Sequence, residues 1–115
     1  MTKTQTDLVN RALEELGVVA AGQTPSDEDV EGVRARVATM LEDLSERDII
    51  YIEDSNEIPN EMFDDLGIIL ADRCKAKYGQ AGDRGFESAK LIAEGNIKVK
   101  TRNRPNYRTL ETKYY

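Results

Sequence analysis

A chain of 115 residues with one cysteine, no histidine and a net charge of −6 suits a single domain with one apolar core. The lack of His excludes imidazole general-base catalysis and the usual zinc sites, and the lone Cys74 can form no intramolecular disulfide and reads as a core residue. No apolar run approaches the roughly 20 residues of a membrane span, and the opening MTKTQTDLV lacks the apolar core of a signal peptide, so no membrane is expected and the chain is expected to be made in a cytoplasm.

The charge is unevenly spread. Residues 98 to 115 carry six basic side chains against Glu111 alone, a balance of +5, which leaves −11 on the preceding 97 residues. An acidic body with a basic end points to an acidic partner surface, a nucleic acid, or the acidic body of a neighbouring copy.

In chain order, Thr4 and Asp7 have capping-box spacing, and Leu8, Val9, Ala12, Leu13 and Leu16 form one apolar stripe of a first helix that Gly17 is placed to end. Asp7 and Arg11 are spaced for an i,i+4 pair. After a small-residue linker, Val18 to Gln23, the Thr24, Pro25, Asp27 combination predicts an N-cap, a first-turn proline and an acidic N3. Val30, Val33, Val37, Met40 and Leu44 then repeat at steps of three and four to about Glu46. Arg47 to Asn56 is β-branched and aromatic without alternation and is expected to be a short extended connector, either covering the bundle end or forming an exposed arm.

The densest apolar pattern is Ile58 to Tyr78, where Met62, Phe63, Leu66, Ile69, Leu70 and Cys74 define one helical face. This is the expected central helix. Gly67 falls on that face, where a missing side chain lets another element come close at a cost of roughly 1 kcal/mol relative to Ala. Ile68 falls on the charged side among Asp64, Asp65 and Asp72 and is the candidate for a lateral contact between subunits. Asp83 is placed to cap a shorter fourth helix with Phe86, Ala89, Ile92 and Ala93 on one face and Gly95 at its end.

From Ile97 the pattern changes. Ile97, Val99 and Thr101 alternate with Lys98, Lys100 and Arg102, a period of two that predicts a strand. Pro105 follows, then NYRTLETKYY with three of the five tyrosines. Two readings stand: a solvated terminal tail, or a docking arm in which Val99, Leu110 and the tyrosines supply buried contacts and the basic residues pair with acidic or phosphate groups. The candidate docking residues are Lys98, Lys100, Arg102, Arg104, Tyr107, Arg108, Leu110, Tyr114 and Tyr115. The fold expected is an all-α, small four-helix bundle over residues 1–97 with an extended docking tail over residues 98–115.

Acidic doublets such as Glu14–Glu15, Glu42–Asp43 and Asp64–Asp65 do not form catalytic pairs, because adjacent helical residues point about 100° apart. Gly79, Gly82 and Gly85 follow a helix rather than a strand and so do not cradle a phosphate. No catalytic residue, cofactor or metal is assigned, and the expectation is a protein that is not an enzyme.

The opening DLVNRALEELGV, the acidic second helix before an Ile- and Tyr-rich connector, and the run IP…L…ILADRCKAKYG together resemble the head-to-tail adaptor family of tailed bacteriophages, the packaged-DNA stabilisation or tail accessory factors. The resemblance spans residues 5 to 95 by order of elements. It implies a structural virion protein at the head-tail junction, forming a homo-oligomeric ring of 12 copies below the portal protein. Its other partners would be a downstream tail or neck protein, and packaged DNA passing through the lumen without sequence-specific binding. The extended segment reaching the portal or an adjacent subunit would then be Lys98 to Tyr115. The chain departs from the family in lacking Trp, with Leu44 where relatives often carry one. The alternative from another class is a small helical DNA-binding or regulatory adaptor using the same basic tail, with Tyr107 and Tyr114 stacking on bases.

Overall fold

The computed structural model describes residues 2–18, 23–80, 82 and 84–103, with the side chains of residues 102 and 103 left aside. It is an all-α four-helix bundle: α1 (Gln5–Glu15), α2 (Asp27–Glu46), α3 (Asn60–Cys74) and α4 (Arg84–Asn103). Two short strands, β1 (Thr2–Lys3) and β2 (Ile58–Pro59), pair antiparallel with Lys3 opposite Ile58 and so tie the chain start to the head of α3.

Local signals fix most helix ends. Thr4 Oγ1 accepts from the Asp7 amide at 3.2 Å while Asp7 Oδ2 accepts from the Thr4 amide at 3.0 Å, the expected reciprocal box. Gly17 ends α1 with φ 77°, a conformation that suits glycine, while its amide donates to the Glu14 carbonyl. Helix α2 is capped by Ser26 rather than Thr24, with the hydroxyl accepting from the Asp29 amide. Ser26 stands directly before Asp27, Glu28 and Asp29, so starting there puts three acids in the first turn against the positive helix pole. Pro25 lies just outside the helix instead of in its first turn.

Helix α3 packs on the other three helices, as expected of the central element. Met62, Leu66, Leu70 and Ala71 have no exposed surface. Gly67 serves a close approach: a Cβ there would stand 2.7 Å from Cγ of Arg11, so the glycine makes room for the aliphatic stem of an α1 arginine. That arginine bridges Glu15 at 3.0 Å and Asp64 at 3.1 Å. The i,i+4 partner of Arg11 is therefore Glu15 and not Asp7, whose carboxylate serves the capping box.

The connector after α2 covers the bundle end. Asp48 takes φ 60° to turn the chain, and Ile49 and Ile50 are both buried. After α3 a 3₁₀ turn, Lys75–Tyr78, runs into Gly79 at φ 74°.

The largest difference from expectation lies in α4. The chain does not stop at Gly95 and does not become a strand at Ile97; one helix continues to Asn103, through the boundary expected between residues 97 and 98. Ala93, Ile97 and Thr101 are buried at i, i+4, i+8, so two of the three β-branched residues that produced the alternation also lie one helical turn apart, while Val99 is exposed. Burying Ile97 stabilises by about 1.5–3 kcal/mol, which exceeds the roughly 1 kcal/mol cost of a glycine in a helix interior. The Thr101 hydroxyl is satisfied within the helix by the carbonyls of Ile97 at 3.0 Å and Lys98 at 3.1 Å.

Candidate functional site

Helix α4 has two sides. The inner side buries Ala93, Ile97 and Thr101, packs on α3 and is fixed by two groups of polar contacts. Glu94, at 7% side-chain exposure, receives a forked pair from Arg47 at 3.2 and 2.7 Å. Arg47 also meets Asp43 at 2.8 Å, and Arg73 reaches the same carboxylate at 3.0 Å. Burial pushes the Asp43 carboxyl up, but the hydrogen bonds and charges of Arg47 and Arg73 outweigh it and hold the group below its ordinary value. Further along, Lys100 Nζ donates to the Glu61 carbonyl at 2.6 Å and to Asp65 Oδ2 at 3.0 Å, with Asn96 at 3.4 Å from the other Asp65 oxygen.

The outer side is apolar. Leu91, Ile92 and Val99 are 60%, 65% and 50% exposed, and a Cβ on Gly95 between them would meet nothing within 4 Å among the described residues. Gly85, Ser88, Ile92, Gly95 and Val99 recur at steps of three and four, a second seam running parallel to the buried one. Arg84 and Lys98 stand at the edge of this strip, exposed and without an ion pair among the described residues.

These positions revise the expected docking set. Lys100 is engaged within the monomer and holds α4 to α3. Lys98 is exposed at the end of a helix, not in an extended arm. The side chain of Arg102 and all of Arg104, Tyr107, Arg108, Leu110, Tyr114 and Tyr115 lie outside the described residues, as does Asp83. Ile68 is not left over: it is half-buried and packs against the core. Ile92, expected on the buried face beside Ala93, is instead the most exposed large apolar residue described. The signal was in the spacing, since neighbours about 100° apart cannot both centre on one face and the seam through 92, 95 and 99 competes with that through 93, 97 and 101.

The acidic doublets separate as adjacent helical residues must. Asp64 turns to Arg11 on α1 and Asp65 to Lys100 on α4; Asp43 turns to Arg47 and Arg73 while Glu42 is exposed. Cys74 is buried, and that burial raises its thiol above the ordinary value despite the opposing charges of Arg36, Lys77 and Arg73. Among the described residues no group of three acidic, Cys or His side chains converges to hold a metal ion, and no helix is long and apolar enough to cross a membrane. What the arrangement offers is a surface, an apolar strip with a basic edge, on a helix whose other side is locked to the core.

Comparison with family models, with curated proteins and with solved structures finds no match for this chain.

Proposed function

We propose that this chain is a structural virion protein, a head-to-tail adaptor that forms a ring below the portal of a tailed bacteriophage and helps retain packaged DNA. The observation that carries the reading is the order of its parts. An acidic four-helix body leads, through the long α4, directly into a segment of opposite charge, in the element order that resembles the adaptor family. A ring with an acidic lumen lets duplex DNA slide without sticking, because the phosphates meet like charge. Basic C-terminal segments then fix copies to the portal or to one another. No catalytic constellation is assigned, and the protein acts by holding surfaces together.

The test uses the described end of α4. A chain stopped after Asn103 keeps Ile97, Lys100 and Thr101, so its helical circular dichroism stays unchanged while its binding to portal rings is lost. Undiminished portal binding by that truncated chain refutes the docking role of the C-terminal segment. Duplex DNA separates the adaptor from the second reading, a small DNA-binding or regulatory protein. Tight binding by the isolated chain that weakens steeply with salt favours the second reading; none favours the virion component.

A further inference from the structure

We infer that the outer strip of α4 binds the outer face of α2 on a second copy of this chain, antiparallel. Among the described residues nothing covers either face, and each carries a triplet with a period of seven. On α4, Arg84, Leu91 and Lys98 place an apolar side chain midway between two cations; on α2, Glu28, Ala35 and Glu42 place a small one midway between two anions. All six are exposed, and none of the four charges makes an ion pair among the described residues. The outer charges of each triplet are fourteen residues apart, about 21 Å along a helix axis. The two ladders therefore match in length and oppose in sign, with Leu91 seated over the small Ala35.

Charge also selects the occupant and its direction. Two α4 strips facing each other set basic against basic, Arg84 against Lys98 when antiparallel and like against like when parallel, which disfavours an α4–α4 pair. An α2 face answers both cations. Arg84 sits at the N-terminal pole of α4, where a cation is disfavoured, and Glu42 lies one residue before the last turn of α2, toward the pole that disfavours an anion. The antiparallel arrangement joins these two and pairs Lys98 with Glu28. Gly95 and Ser88 on one side, and Ala35 and Ala38 on the other, let the axes come close.

Because the two faces differ and lie on different helices of one body, the contact is heterologous, the class that closes into rings or runs on as filaments. It deepens the proposed adaptor by naming the surface through which copies meet, and to that extent rests on it. The test is sedimentation velocity on the full chain up to about 100 μM, where mass action favours association. Wild type is expected to self-associate. Leu91→Asp, and the pair Arg84→Glu with Lys98→Glu, should each weaken that association tenfold or more while leaving circular dichroism unchanged. The pair Glu28→Lys with Glu42→Lys should do the same, and mixing the two reversed proteins in equal amounts should restore assembly. A wild-type chain that stays monomeric throughout, or reversed proteins that assemble as wild type does, overturns the interface. Portal binding is measured on the same proteins. Portal rings bound by wild type, together with reversed pairs that assemble as wild type does, overturn the interface and leave the adaptor standing, whereas mixing that restores assembly without portal binding supports the interface and overturns the adaptor.

Discussion

Lys100 Nζ lies 3.0 Å from Asp65 Oδ2, and the same ammonium lies 2.6 Å from the Glu61 carbonyl, so a lysine at the far end of α4 is tied to the first turns of α3. Asp65 is 8% exposed, and without this lysine its carboxylate would stand nearly buried with only the longer Asn96 contact. Lys98, two residues earlier, faces solvent.

The two lysines therefore separate stability from assembly. Lys100→Met should lower unfolding stability by about 1–3 kcal/mol, less than for a fully buried pair because the lysine is partly exposed. Lys98→Met should change stability by less than about 0.5 kcal/mol. Urea unfolding checks both, and equal losses would contradict the assignment.

Arg47 and Glu94 join the end of α2 to α4 in the same manner. Glu94→Ala leaves Arg47 with Asp43 and should cost about 1–2 kcal/mol. Arg47→Ala leaves the buried Glu94 with only the longer contact to Lys90 at 4.0 Å among the described residues and should cost more, about 2–4 kcal/mol. The double change should cost less than the sum of the two, a coupling that a double-mutant cycle by urea unfolding measures directly.

Three glycines should respond differently to the same methyl group. Gly17→Ala meets nothing within 4 Å among the described residues but is held at φ 77°, so it should destabilise by about 1–2 kcal/mol through backbone strain. Gly67→Ala is helical but drives a Cβ to 2.7 Å from Arg11 Cγ, so it should perturb the Arg11 contacts with Glu15 and Asp64. Gly95→Ala stands in open space inside α4 and should raise the unfolding stability of the monomer by about 0.5–1 kcal/mol. Thermal unfolding of the three variants orders them.

Much of this framework was legible in the chain, for identifiable reasons. Thr4 with Asp7, Gly17 and the Val33, Val37, Met40, Leu44 repeat are local signals, satisfied within one helix or at its end, and each does what its spacing implies. Gly67 announced a close approach, though not that the visitor is the stem of Arg11, because that depends on the angle between two helices. The end of α4 is a helix where its sequence suggests a strand, because alternation and helical spacing overlap over a few residues. Ile97 and Thr101 fit both a period of two and one turn, and only the presence of α3 alongside decides between them. The exposure of Ile92 was hidden by Ala93 beside it. The partner of Lys100 is far away in sequence, so a residue of the basic end looked free when it is part of the core's edge.

Tyr78 gives the fold a signature in alkali. Its hydroxyl donates to Asp29 Oδ1 at 3.1 Å, and burial, then the hydrogen bond and charge of Asp29, push its pKa up from 10 to about 12. The folded state thus prefers the neutral phenol. Its contribution is fully present below pH 10 and is lost as pH rises through about 12. Tyr78→Phe should cost about 1 kcal/mol at neutral pH, and the gap from wild type should close over that alkaline window. Urea unfolding at stepped pH follows it, and a gap that widens above pH 10 would contradict the sign.

The most direct measurement of the proposed role is electron microscopy of the full chain mixed with portal rings of a tailed phage. The account predicts an added ring of density, closed and coaxial with the portal, that disappears when Arg84 and Lys98 are both reversed to Glu. Portal particles indistinguishable from those without the chain would contradict it.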